Sequence, residues 1–169
     1  MFKDARSSGH TMPELLAMLG IAAILAMAAV PVFSNLLLES RMTAAIATVV
    51  HAVNLARQLA TTRSVPIRLC GSEDERSCSG RPDWNTGFLL VDESETIQQA
   101  VPLSGGTGTP RIRSNRATMS FEAGSGFATP ATVTLCDRRG TRAARSVIVS
   151  RSGRPRSSDR DASDKALSC

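Results

Sequence analysis

The chain has 169 residues, 42% of them hydrophobic and 21% charged, with a formal net charge of +5 and a pI of about 9.7. That length holds one helix-bearing globular domain and no more, and no internal repeat is present. The only histidines are His10 and His51, neither beside a nucleophile motif, and none of the four cysteines forms a Cys-x-x-Cys; the composition therefore argues against an enzyme, a metal site or a cofactor site.

The chain opens with a short basic leader carrying Lys3 and Arg6, followed by Gly9-His10-Thr11-Met12-Pro13-Glu14-Leu15 and an uncharged run from Leu15 to Phe33. Such a run approaches the ~20 apolar residues that a helix needs to cross a bilayer core. Because the basic leader ends directly before the apolar run, and a helix-like pattern continues beyond it, the run reads as retained rather than as a secretory signal. Glu14 at its leading edge is costly in lipid unless paired, which makes it a functional candidate. An ordinary membrane anchor whose Glu14 reaches the headgroups is the plain alternative.

Gly9 to Leu15 resembles the type III signal of type IV pilins and pseudopilins, with His10 where the family usually has Phe and Pro13 before the glutamate. The resemblance implies cleavage between Gly9 and His10 by a prepilin peptidase, methylation of the new amine on His10, and pairing of Glu14 with a neighbouring subunit's amine during assembly. It divides the chain into a leader (1–9), a transmembrane and filament-core half-helix (10–36) and a head (37–169). The basic leader stays in the cytoplasm, so the head faces the periplasm or the outside, where disulfides persist.

Beyond Phe33 the apolar residues Leu38, Met42, Ile46, Val49 and Val53, with Ala45 and Ala56 on the same face, continue a helix toward Arg63, leaving Glu39, Arg41, Asn54, Arg57 and Gln58 to water. A helix from about Thr11 to Arg63 is roughly 80 Å long. His51 reads as a solvated helix residue. After Pro66 the period changes: Val65–Cys70, Gly87–Val91, Ile97–Leu103, Arg111–Arg113, Thr118–Phe121, Thr132–Cys136 and Ser146–Ser150 read as short strands. The expected fold class is α+β, with an antiparallel sheet packed on the second half of the helix. Trp84 is expected at the sheet edge. Ser104 to Pro110 is a flexible connection rather than a phosphate loop, since no Gly-Lys-Ser/Thr follows. Arg156 to Ser168 has the polar composition of a mobile tail.

Cys70, Cys78, Cys136 and Cys169 allow three pairings. Placement favours Cys70 with Cys78, closing a loop that carries Glu73, Asp74 and Glu75, and Cys136 with Cys169, tying the tail to a strand.

Charge is laid out unevenly: residues 1–70 carry +3, residues 71–104 carry −5 and residues 105–169 carry +7. Eighteen of the twenty basic residues are arginine, the residue suited to bidentate phosphate or carboxylate contact. Arg138, Arg139, Arg142 and Arg145 bracket Gly140, and Ser150-Arg151-Ser152-Gly153-Arg154-Pro155-Arg156 follows the last strand. In extended backbone Arg154 and Arg156 share a face, stiffened by Pro155, while Gly153 allows close backbone approach. Two parallel guanidinium groups suit successive phosphates of a nucleic acid. With no Tyr, one Trp and five Phe, contact is expected mainly to phosphate.

The pilin start, the Cys-bounded loop before Trp84-Asn85-Thr86-Gly87-Phe88, the Ser150 to Arg156 motif and the terminal Cys169 together resemble the GspH/FimT group of minor pilins. In FimT-like members a C-terminal Gly-Arg-x-Arg is associated with DNA binding in natural transformation. Here it falls on Gly153, Arg154 and Arg156, with Arg151, Arg138 and Arg139 as further DNA-binding candidates. The implied partners are double-stranded DNA read with little sequence preference, other major and minor pilins, the prepilin peptidase and the inner membrane. A FimU-like priming subunit or an H-type pseudopilin of type II secretion, contacting only proteins, is the alternative.

Overall fold

The structure, a computed structural model, describes residues 11–103, 106 and 108–169, with only the backbone of residues 28–32. Gly9 and His10, and Ser104, Gly105 and Thr107 of the predicted flexible connection, lie outside the described residues. Helix α1 spans Met12–Arg63. At its start the Glu14 carboxylate accepts from the Thr11 N–H at 3.4 Å, the glutamate half of a capping box, while the Glu14 N–H donates to the Thr11 backbone carbonyl at 3.0 Å. At its end Ser64 takes a left-handed φ of 53°, Pro66 follows, and Gly124 donates its N–H to the Ala60 carbonyl at 2.9 Å.

The chain divides into two units, one ending at Leu37 and one spanning Leu38–Cys169. In the first, Leu16, Leu19, Ile24 and Leu25 are exposed on different sides of the helix, so no single polar face is set against water. A helix apolar all round needs lipid or protein around it.

The second unit holds eight short strands among the described residues: β1 (Ile67–Gly71), β2 (Gly87–Asp92), β3 (Ile97–Pro102), β4 (Arg111–Ser114), β5 (Thr118–Phe121), β6 (Ala131–Cys136), β7 (Arg145–Val149) and β8 (Pro155–Ser158). They form two antiparallel four-stranded sheets, ordered β3-β2-β1-β5 and β4-β6-β7-β8. The single sheet expected from the sequence is thus two, and the chain passes between them at β3 to β4, β4 to β5 and β5 to β6. Alternating apolar residues mark an inner face and say nothing about which strands pair. The predicted tail is also corrected at its start: Pro155–Ser158 is an edge strand beside β7.

One core serves both sheets. From α1 come Met42, Val49, Val53, Ala56 and Ala60; from the first sheet Ile67, Leu69, Phe88, Leu90, Met119 and Phe121; from the second Ile112, Val133, Leu135, Val147 and Val149. By length and composition Phe33–Arg63, with a mean hydropathy of 1.3, also passes as a membrane-crossing helix. The burial of its Val49, Val53, Ala56 and Ala60 in the head gives that apolarity a use inside the protein. β2 is covered on both faces, because Leu89 and Val91 pack with Cys70 under the Cys70–Cys78 loop. Trp84, expected at the edge, is fully buried; it lies 5.9 Å from the Phe88 ring and fills the space beside Gly71.

Both favoured disulfides are present, Cys70–Cys78 and Cys136–Cys169. The first closes a loop in which the Asp74 carboxylate accepts from the backbone N–H groups of Arg76 and Ser77, which hold it well below the usual carboxylate range. The second draws the last residues over the outer face of β6 and β7, where Leu167 is buried with Cys136 and Ala144, and Ser146 Oγ donates to the Arg160 carbonyl at 2.6 Å.

Two stability measurements follow. A Cβ at position 71 falls 2.4 Å from Trp84 Cδ1 and 2.7 Å from the Asp83 carbonyl, so Gly71→Ala should lower the urea midpoint by the equivalent of about 1–3 kcal/mol. Replacing both Cys136 and Cys169 by serine opens a 33-residue separation and should cost about 3–4 kcal/mol in the same titration.

Candidate nucleic-acid interface

The Gly-Arg-x-Arg segment is the turn and second strand of a β-hairpin. Gly153 donates to the Ser150 carbonyl at 2.9 Å, Ser150 donates to the Arg154 carbonyl at 3.1 Å, and Gly153 has a φ of 71°. This is a three-residue loop whose left-handed position favours glycine. Pro155 then sits opposite Val149, and Arg156 opposite Ile148. Val149 belongs to the core, so strand alternation sends Arg154 and Arg156 to the outer face, away from α1. Both are exposed, and so is Arg151 at the tip. β8 is an edge strand, where the missing N–H of Pro155 leaves no ladder bond unmade.

Gly153 does not offer its backbone to a ligand. It is buried, and a Cβ there falls 2.5 Å from the Gly126 carbonyl and 2.9 Å from Arg57 Cδ. The expected close approach is real, but the partner is the protein itself.

Arg139 is likewise withdrawn from the predicted set. Its guanidinium binds Asp137 at 2.6 Å and Glu39 of α1 at 2.7 Å. Asp137 is held below the usual carboxylate range: burial pushes it up, and the hydrogen bonds and charge of Arg139 more than offset this. Arg139 is raised in turn, chiefly by its hydrogen bonds to Asp137 and then to Glu39. A guanidinium satisfied by two carboxylates is a clamp between the β6–β7 connection and the helix, not a free cation.

Arg138 is exposed but lies at the other end of β7, because residue 135 pairs with residue 145 and residue 131 with residue 149. Five strand residues separate it from the turn by roughly 15 Å. Its neighbours are Arg111 and Arg113 of β4, which line with it a cleft of about 600 Å³ beside Cys169, together with Asp83 and Asp137. Arg113 pairs with Thr134, and its alternation places both β4 arginines on the outer face. The predicted basic patch is therefore two groups, Arg151, Arg154 and Arg156 at one end and Arg138 with Arg111 and Arg113 at the other.

Three residues that matter here carry no warning in the sequence. Arg111 and Arg113 repeat the two-residue spacing of Arg154 and Arg156 without a recognisable motif. Phe127 is half exposed, and the next residue, Ala128, donates its N–H to the Arg151 carbonyl at 2.8 Å. An exposed ring beside cations can stack on a base as well as cover protein.

Glu14, the other candidate described, is exposed in the first unit, and among the described residues its carboxylate accepts from the Thr11 N–H. No group of three or more potential metal ligands occurs among the described residues.

Comparison with known proteins adds the following. Two crystal structures of the type IV minor pilin FimU from Pseudomonas aeruginosa resemble this chain. One matches at a TM-score of 0.53 and 20% identity, covering 74% of this chain and 96% of that one; the other at 0.56 and 19%, covering 76% and 94%. At these identities the likeness establishes the pilin fold. No curated protein matches in sequence. The family described as type II transport protein GspH matches residues 45–153, more than half of the sequence, ending one residue before Arg154. The chain belongs to the GspH family of minor pilins and pseudopilins.

Proposed function

We propose that this protein is a minor type IV pilin that binds extracellular DNA through its β7–β8 hairpin for uptake in natural transformation. Arg154 and Arg156 carry the reading. Both are exposed on a proline-stiffened edge strand, pointing away from the core, and among the described residues neither has a carboxylate partner. Cations held in this way supply phosphate contacts whose strength falls with salt. Arg151 at the tip extends the line of charge, whereas Arg138 is too far away to act on the same two phosphates.

The N-terminal part of the proposal rests on the apolar, unpartnered helix of the first unit and on the leader motif. Prepilin peptidase cuts between Gly9 and His10, the His10 amine is methylated, and the chain waits in the inner membrane with its N-terminus in the cytoplasm. Residues 10–36 then enter the filament core, where Glu14 exchanges its cap for a neighbouring subunit's amine. Residues 37–169 form the head, carried in the periplasm and outside. The role is binding and assembly, not catalysis.

The family match and the likeness to FimU favour a second reading, a subunit that contacts only other pilins or pseudopilins. The two separate in one experiment. With the full chain in detergent micelles, duplex DNA should bind with an affinity that falls steeply with salt, and Arg154→Ala and Arg156→Ala should each reduce the salt slope by about 1. A double variant that binds DNA as the parent does would remove the hairpin from the site. A parent that leaves DNA free at moderate salt would support the protein-only role.

Arg139 provides the contrast. Arg139→Ala should leave the salt slope unchanged and cost about 2 kcal/mol of stability, since it strands the Asp137 carboxylate. Because the folded-state pKa of Asp137 is depressed, that stability is present above the ordinary carboxylate pKa of about 4 and is lost as pH falls through the lower folded value. Acid titrations of parent and variant should therefore converge at low pH.

A further inference from the structure

Arg57 of α1, read from the sequence as a solvated helix residue, runs beneath the basic turn. A Cβ on Gly153 falls 2.9 Å from its Cδ and 3.4 Å from its Cγ, and one on Gly126 falls 3.0 Å from its Cγ. Both glycines have positive φ, 71° and 65°. Two loops from distant parts of the chain thus close over the Arg57 stem, and only residues without a side chain leave room for it. From these distances Arg57 Cδ lies within about 8 Å of the Cα atoms of Ser152 and Arg154.

The head of this side chain is unlike that of Arg139. Its Nε is buried and has no hydrogen-bond partner, and no carboxylate pairs with it among the described residues. The acid of the overlying loop, Glu122, accepts from Ser125 Oγ. The terminal guanidinium nitrogens are not among the buried orphans. A buried arginine stem with a wet, unpaired head is a poor way to stabilise a protein, since desolvating a charged group without a partner is unfavourable. It is a good way to present a cation: the stem is already immobilised, so little side-chain freedom remains to be lost on binding.

We propose that Arg57 is a further phosphate-binding cation of the hairpin site, held rigidly by the helix beneath the turn that carries Arg151, and adding to Arg154 and Arg156 of the outer face. The inference rests on the nucleic-acid reading above and adds a residue that the family match and the Gly-Arg-x-Arg motif do not point to. It gives Gly126 and Gly153 a shared purpose, that of letting a helix side chain through. Site geometry then depends on the head core, because α1 and the hairpin must keep their spacing for Arg57 and the hairpin arginines to meet one duplex.

The test uses the full chain in detergent micelles and a labelled DNA duplex, titrated between about 50 and 200 mM salt. Arg57→Met keeps the buried stem and removes the charge. It should bind about five- to tenfold more weakly at the middle of that range, with a salt slope lower by about 1 and a melting temperature no lower than the parent's. Arg57→Lys keeps the charge and loses the fork, so the slope should hold while affinity falls about two- to threefold. Parental affinity and slope in Arg57→Met, where Arg154→Ala does weaken binding, would overturn the role of Arg57 and leave the hairpin site standing. If Arg57→Met does not fold, Arg57→Lys decides, and unchanged affinity there overturns the proposal. A parent chain that does not bind DNA overturns both readings together.

Discussion

The stripe Met42, Val49, Val53, Ala56 and Ala60 on α1 must be covered by two sheets at once, and most other features of the head follow from that requirement. The central strands β1, β2, β6 and β7, with β4 and β5, then have one face committed inward. The outer positions of the second sheet include the exposed Arg111 and Arg113 at one edge and Arg156 at the other, with Thr132, Ser146 and Ile148 buried between them. These three arginines are displayed on this face because the helix has claimed the opposite one.

Much of this arrangement could be read from residues alone, where the cause is local. The helix from Met12 to Arg63 is written in the spacing of Leu38, Met42, Val49 and Val53 and in the break at Ser64 to Pro66. The strand Thr118–Phe121 and the disulfide pairing were similarly accessible. Partition into two sheets was not, because β4 and β5 show the same alternation yet pair with β6 and β1 respectively. Trp84 looked peripheral because it lies between strands in the chain. It is buried because the chain around it, from Pro82 to Asn85, runs along β4 and hydrogen-bonds to it.

At the candidate site the division is the same. Pro155 placed its segment at an edge, and the two-residue spacing put Arg154 and Arg156 on one face; both inferences needed only backbone geometry. The misreadings all involve partners far along the sequence. Arg139 meets Glu39 across 100 residues, and Gly153 meets Arg57 across a similar distance. Among basic residues of equal local character, long-range pairing decides which are structural and which are available, and one sequence carries no record of it.

The bond between Cys136 and Cys169 turns β7, the basic tip and β8 into part of a closed covalent ring. Arginines on an exposed loop are natural sites for trypsin-like proteases, yet a single nick after Arg151 inside such a ring sets no fragment free, and Pro155 protects the bond after Arg154. Both new ends remain joined through the sulfurs, and the flanking strands keep their ladder. The hairpin can therefore be cut at its tip and keep its cations in place, a tolerance that disappears once the bond is reduced.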